Sequence, residues 1–247
     1  MRHIHLTETV STNTYIKELL QQGVTLPGLT VVEADWQTAG RGQKGNQWES
    51  KKGENLLFSI LCHPSTLPAS HQFVLSQAMA LSVWAALDEI IEGVNIKWPN
   101  DIYWEEKKMG GILIECNLVG SGIADCILGV GLNVNQTQFV SDAPNPVSLA
   151  QIIGFSLDRD RILSSILSHF ETFFQMAEQS REKEIADLYM AHLYRREGFH
   201  MYREVGGEPF SAEIAGIAPS GLMTLRTKEG KMKEYEFKEI IFIHQHN

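Results

Sequence analysis

The sequence predicts an α+β fold with a small β module at its C-terminal end. Three observations carry this. Over the first 195 residues, short β-branched runs alternate with helix-forming stretches. One of these stretches, Ser70–Ile91, has few breakers and is too long for a strand. After Arg196 the texture changes to short strands separated by glycines and turns. The boundaries expected are therefore 1–195 and 196–247 in a chain of 247 residues.

Taken in order, the first element is a helix. Tyr15, Ile16, Leu19 and Leu20 have helical spacing, Ser11, Thr12 or Asn13 can cap the start, and Gly23 ends it. Leu29–Ala34 and Asn55–Cys62 read as strands flanking a polar, glycine-rich stretch from Gln37 to Glu54. That stretch is too long for a tight turn, and long loops in compact domains usually serve function. The helix Ser70–Ile91 is expected to turn Phe73, Val74, Met79, Val83, Trp84 and Leu87 to the core. Four strands follow, Val94–Trp98, Ile102–Trp104, Gly111–Leu118 and Ala124–Val134, with Glu105–Lys108 as a hairpin tip. Asp142–Pro146 reads as a loop and Ser148–Ile153 as a short helix. Asp158 can cap a helix running to about Gln179, and a second covers about Lys183 to Tyr194. The strands of the β module are expected at Phe210–Ile217, Gly221–Thr227 and Lys233–Ile243.

Composition narrows the function classes. Apolar residues make up 43% and charged residues 21%, which suits a globular chain that can build its own core. No run approaches the roughly 20 apolar residues of a membrane span, and the start shows no secretion signal. A net charge of −9 argues against nucleic-acid binding through overall charge. Cys62, Cys116 and Cys126 form no C-x-x-C pair, so buried free thiols in a reducing cytoplasm are expected. No H-E-x-x-H or similar spacing points to zinc, and His3, His5, His244 and His246 sit in terminal segments.

Gly40-Arg41-Gly42-Gln43-Lys44-Gly45 matches G-x-G-x-x-G. The dinucleotide fingerprint also needs a helix directly after the glycines and an acidic residue about 20 positions on. Neither is present, since Asn46–Gly53 has no helical period and the later stretch is Cys62-His63-Pro64-Ser65. The loop nevertheless suits an anion. From Gln37 to Lys52, Arg41, Lys44, Lys51 and Lys52 oppose only Glu49, a net +3 within a chain of net −9. Glycines let backbone N–H groups approach a phosphate, and Arg41 adds a planar fork of donors. Downstream, Lys97-Trp98-Pro99-Asn100-Asp101 breaks between two strands, because proline cannot donate to a ladder. Lys108-Met109-Gly110-Gly111 leads into a buried strand, and Gly129-Val130-Gly131-Leu132-Asn133 closes another.

In this order, from Ser11-Thr12-Asn13 through Gln37–Gly42, Trp48 and the Lys97, Lys108 and Gly129 motifs, the sequence resembles the biotin protein ligase family. Gly216–Leu222 resembles that family's C-terminal module. The resemblance implies a mixed β-sheet with packed helices, the class II synthetase-like catalytic domain of biotin ligases, and an SH3-like β module. It implies a two-step reaction: biotin and ATP with Mg²⁺ give biotinyl-5′-AMP, whose biotin passes to a lysine of a carboxylase's biotin carboxyl carrier domain. It also implies the ligase-only form, with no DNA partner and no membrane, as monomer or homodimer, because the Ser-Thr-Asn motif begins at residue 11.

The resemblance also implies residue roles. Ser11, Thr12, Asn13, Gln37, Gly40, Arg41, Lys108 and Gly111 would hold biotin. Arg41, Gly42, Trp48, Asn100, Lys108 and Asn133 would hold the nucleotide, with Trp48 near the adenine. Lys108, Arg41 and Asp101 would be catalytic, Asp101 also serving Mg²⁺ and the acceptor lysine's deprotonation. Lys97 would meet pyrophosphate or the acceptor. The family's loop often carries arginines where this chain has Gln43 and Asn46, which bears on how firmly an adenylate is held. A lipoate–protein ligase, a non-catalytic sensor and a dinucleotide oxidoreductase are the alternatives, and the Lys97 and Lys108 motifs look more like those of biotin ligases.

Overall fold

The computed structural model describes residues 1–140 and 145–243, and of Lys44 the backbone only. The expected loop Asp142–Pro146 therefore lies partly outside the described residues, as do His244 and His246.

Seven strands form the first sheet: β1 (Arg2–Leu6), β2 (Thr30–Ala34), β3 (Leu56–Cys62), β4 (Val94–Lys97), β5 (Asp101–Trp104), β6 (Lys107–Val119) and β7 (Gly122–Leu132). Their order is β1-β2-β3-β7-β6-β5-β4. The β1–β2 pair is parallel and the others antiparallel, so the sheet is mixed, as expected. The reading of the sequence missed β1: its burial does not alternate cleanly, because it is an edge strand.

The sheet's two faces are covered differently. On one lies α1 (Thr12–Gln21), whose Ile16 packs on Val32, Leu61 and Ile127. On the other lie α2 (Phe73–Asp88), α4 (Arg159–Glu178) and α5 (Glu182–Ala191), while α3 (Leu149–Ile153) follows the sheet's last loop. Helix α2 departs from the one-sided pattern expected of it. It is buried nearly all round, and Phe73 and Trp84 are among its more exposed apolar residues. A helix between a sheet and two further helices has no solvent face, so its apolar residues need no period.

Helices α2 and α5 are shorter than the expected Ser70–Ile91 and Lys183–Tyr194, and two further boundary shifts bear on the site. Strand β6 begins at Lys107, so Lys108 is a strand residue paired opposite Tyr103 and the hairpin tip is Glu105-Glu106. The expected strand Lys233–Ile243 divides into β11 (Met232–Tyr235) and β12 (Ile240–Phe242). With β8 (His200–Glu204), which the reading missed, β9 (Pro209–Ile217) and β10 (Met223–Thr227), these form a second, five-stranded antiparallel sheet ordered β11-β10-β9-β8-β12.

The expectation of three free thiols is corrected. Cys116 and Cys126 are directly opposed in the β6–β7 ladder, with Cα atoms 4.1 Å apart, and they form a disulfide. Spacing could not show this, because the strand register makes the pair. Cys62 is a buried free thiol whose pKa burial raises. Among the described residues, no helix is long and apolar enough to cross a membrane.

Candidate functional site

Strand alternation builds the floor of the site. In β7, Leu128, Val130 and Leu132 join the helix-covered core, so Gly129 and Gly131 fall on the α1 face. Gly111 of β6 pairs with Gly131. The absent side chains leave room for others. A Cβ on Gly131 would strike the Trp48 indole, and one on Gly129 would strike Asn13 Oδ1.

Above this floor lies a cavity of about 1000 Å³. Its lining includes Ser11, Thr12, Asn13, Gln37, Arg41, Gly42, Trp48, Lys97, Asn100, Asp101, Lys108, Gly111 and Asn133. The structure thus gathers nearly every residue singled out from the sequence. Gly40 is the exception, facing a smaller hollow behind the loop.

The glycine loop is pinched into a hairpin. Trp48 N–H donates to Gly40 O (2.9 Å), Gly42 N–H to Asn46 O (2.7 Å), and Arg41 bridges Gln47. Only a single 3₁₀ turn, Gln43–Gly45, interrupts it. No helix follows the glycines, so the dinucleotide geometry is absent there. The loop's far end is tied down by Gln136, which accepts from Lys51 N–H (2.9 Å) and donates to Glu49 (3.1 Å).

At one end of the cavity, Ser11 occupies the N-cap of α1, yet its side chain makes no capping bond. Gln37 Oε1 accepts from the Thr12 backbone N–H (2.8 Å). The Asn13 carboxamide is committed to protein partners, its Nδ2 donating to Glu115 (2.8 Å) and to Leu113 O (3.4 Å). Glu115 also pairs with Lys17 (2.6 Å) and lies 3.8 Å from Arg41. Burial alone would raise its pKa. The bonds from Lys17 and Asn13 and the charges of Lys17 and Arg41 outweigh burial and hold the carboxyl below its usual range. Arg41 reaches Thr14 Oγ1 at 3.1 Å.

In the middle, Lys108 Nζ and Asp101 Oδ1 are 2.6 Å apart, and the ammonium lies 6.0 Å from the Trp48 ring centre. Asn100 is buried, with its amide nitrogen donating to Ile112 O. The Trp98–Pro99 peptide between these motifs is cis. Asn133 Nδ2 donates to Val147 O (3.3 Å).

Lys97 is mostly buried, 2.9 Å from Tyr103 Oη and over the rings of Tyr103 and Phe242. Burial pushes its pKa down to about 8, partly opposed by Asp101. Reading the sequence missed the far wall of the cavity, which includes Phe237, Ile240 and Phe242 from the second sheet. It also missed Ser59, although a lone serine inside Leu-Leu-Phe-Ser-Ile-Leu-Cys was a visible signal.

Fold and site together define a class. This is a mixed-sheet protein with a glycine-floored cavity whose lining carries Arg41, Lys97 and Lys108. Residues 6–133 match the Biotin/lipoate A/B protein ligase family. The bifunctional ligase/repressor BirA of Bacillus subtilis is 32% identical over 216 residues, covering 85% of this chain. The chain spans 65% of that relative's length. The biotin--[acetyl-CoA-carboxylase] ligase of Paracoccus denitrificans is 28% identical, with 92% of this chain and 95% of that protein covered. The biotin protein ligase of Aquifex aeolicus, solved with biotin and ATP, superimposes with a TM-score of 0.80 at 28% identity, over 99% of each chain. The chain belongs to the Biotin/lipoate A/B protein ligase family.

Proposed function

We propose that this protein is an ATP-dependent biotin protein ligase. It would form biotinyl-5′-AMP and then transfer biotin to a lysine of a carboxylase's carrier domain. The observation that carries this reading is the Lys108–Asp101 pair, 2.6 Å apart in the cavity that Thr12, Gln37 and Asn133 also line. The Aquifex aeolicus relative, solved with biotin and ATP, supports it.

Joining a carboxylate to the α-phosphate of ATP requires two anions to meet, and preorganised cations lower that barrier. Lys108 supplies one charge and Arg41 another. On the free protein the Lys108 ammonium is neutralised by Asp101. When the substrate anions arrive, Lys108 has new partners. Asp101 is then released to accept a proton from the incoming amine, which must be neutral to attack. Thr12 and Gln37 would hold the ureido head, and Asn100, Asn133 and Trp48 the adenylate. Lys97 would meet pyrophosphate or the acceptor lysine.

Mg²⁺ fits this donor set. A hard cation that travels with phosphates needs only one or two protein oxygens. Asp101 is a carboxylate, and the Asn100 amide nitrogen is tied back to Ile112 O, leaving its oxygen as donor. Bound there, the ion would neutralise phosphate charge. Among the described residues no group of three His, Cys, Asp or Glu could hold a metal unaided. We also assign residues 1–195 to the catalytic domain and 196–247 to a separate C-terminal domain.

The test is direct. Incubating the protein with ATP, Mg²⁺, biotin and an apo carrier domain should add one biotinyl mass to the carrier. A carrier modified by lipoate and not by biotin would overturn the assignment in favour of a lipoate ligase.

A further inference from the structure

Three cysteines share one row of the first sheet. In the β3–β7 ladder Cys62 is directly opposite Cys126, and in the β6–β7 ladder Cys126 is directly opposite Cys116. Residues opposed across a ladder share a face, and here it is the helix-covered one. Cys126 thus has a cysteine on each side, and its bond goes to Cys116. The surroundings explain the choice. Cys62 is fully buried, and burial, helped by the charges of Glu178 and Asp125, raises its pKa. A thiol held protonated does not attack a disulfide. Cys126 is fully buried too, whereas Cys116 is only partly so, which makes Cys116 the member of the row that a dissolved thiol or disulfide can reach.

The bond is not what holds the two strands together. Its cysteines are 10 positions apart in a hairpin whose ladder pairs from Gly110–Leu132 to Val119–Gly122. A cross-link over so short a loop, already closed by backbone bonds, adds little to the fold, so both redox states stay folded. What changes is local. Bonded sulfurs lie about 2.05 Å apart, whereas unbonded ones rest at van der Waals contact, so reduction separates them by roughly 1.5 Å. The core encloses Cys126, so the movement falls on β6. That strand has a register irregularity directly beyond, between Asn117 and Leu118, to absorb it. Glu115 moves with Cys116. On the opposite face of β6 its carboxylate accepts from Asn13 Nδ2 (2.8 Å) and pairs with Lys17 (2.6 Å), 3.8 Å from Arg41. Asn13 and Arg41 line the cavity. Bonds of these lengths do not survive a shift of about an ångström.

We propose that Cys116 and Cys126 form a reversible thiol–disulfide switch, closed in this structure, which sets through Glu115 how firmly Asn13 and Arg41 are held at the α1 end of the cavity. The proposal rests on the biotin ligase reading for what that end binds, and adds regulation to it. Closing the switch needs only a small disulfide as co-reactant. The Cys116 thiolate attacks one of its sulfurs and expels a thiolate. The Cys126 thiolate then attacks Cys116 Sγ and expels the second. Two electrons pass from the cysteine pair to the small disulfide, and the two cysteine protons end on the two released thiols. A small thiol attacking Cys116 Sγ runs the same steps backward.

The experiment equilibrates the protein in glutathione buffers of stepped reduced-to-oxidised ratio. Alkylation of the denatured chain counts free thiols, one in the closed form and three in the open. Pyrophosphate release gives KM for biotin and for ATP, and amide hydrogen exchange reports on residues 11–17. On opening, biotin KM should rise by about threefold or more and exchange at the start of α1 should quicken, with ATP KM unchanged within about twofold. Both changes should share the midpoint of the thiol count and reverse on reoxidation. Cys116→Ser should hold the open-form values at every ratio, and Cys62→Ala should switch as the wild type does. A biotin KM that stays constant while the thiol count changes would overturn the switch. So would a response that survives in Cys116→Ser, or a thiol count that never changes across the series. A wild type that releases no pyrophosphate with biotin in either form would instead overturn the biotin reading, and exchange at the start of α1 would then decide the switch.

Discussion

Two lysines in one cavity carry opposite expectations. Lys108 is paired with Asp101. Replacing it with alanine removes a charge from the point where two anions must meet. We expect adenylate formation to fall by about 10²–10³, the usual loss on removing one preorganised donor. A rate near that of the wild type would remove Lys108 from the reaction. Lys97 is instead a buried cation held among aromatic rings, with its pKa depressed to about 8 from 10.5. Below about pH 8 it is charged in both folded and unfolded chains, and its burial penalty acts in full. Between about 8 and 10.5 the unfolded chain binds more protons at this site, so its contribution to stability rises with pH. Lys97→Met should therefore exceed the wild type in stability at pH 7 by roughly 1–3 kcal/mol, discounting for partial exposure. That margin should shrink toward pH 10 in urea unfolding. A margin independent of pH would refute this account.

The glycine loop is an element whose shape depends on a partner strand. Its own bonds pinch Gly40 to Trp48 and Gly42 to Asn46. What seats it on the sheet is the Trp48 indole lying over Gly131. Gly131→Ala puts a methyl where the indole packs, so the indole must lift and the loop loses its anchor. Limited proteolysis should then cut within residues 37–54 about tenfold faster, as expected of a segment whose local stability has dropped by about 1.4 kcal/mol. An unchanged cleavage rate would show that the hairpin bonds and the Gln136 and Lys238 ties hold the loop without the indole. The β6–β7 ladder shows the same dependence on a partner. Gly111 faces Gly131 and Cys116 faces Cys126 only because the register sets them opposite.

At the scale of the whole molecule, the second sheet is joined to the motif that carries Asn100 and Asp101. Trp98 Nε1 donates to Gly221 O (2.9 Å), and Trp98 meets Phe237 edge-on. Arg195 donates to Met201 O and Ile243 O, and Lys238 reaches Gln43 O in the glycine loop (3.4 Å). Gly221 must be glycine, with φ +93° and a Cβ that would press on Phe73. Trp98→Phe removes one of these ties and leaves a carbonyl unsatisfied, at about 1–3 kcal/mol. For a chain of this size that should lower Tm by about 2–10 °C. A loss of adenylation larger than the loss of folded protein would show that the second sheet also positions the site. Calorimetry beside the pyrophosphate assay separates the two.

The sequence by itself determined the elements with strong local signals and the motifs that line the cavity. Helix α1 was legible from its period, α4 from its period and its Asp158 cap, and β2, β3 and β7 from their apolar runs. Lys108, Asp101 and Thr12 stood out because glycines, prolines and caps leave marks in a chain. Only the tertiary structure decided the rest. Edge strand β1 has too little burial to show a pattern, and α2 has too much. Ser59, Glu115, Phe242 and the Cys116–Cys126 bond depend on which strands lie side by side and which face each residue takes. Helical period and turn chemistry act between near neighbours and can be read along the chain. The hydrogen bonds among Glu115, Asn13, Ser59 and Thr12 join residues up to about a hundred positions apart, and only packing brings them together.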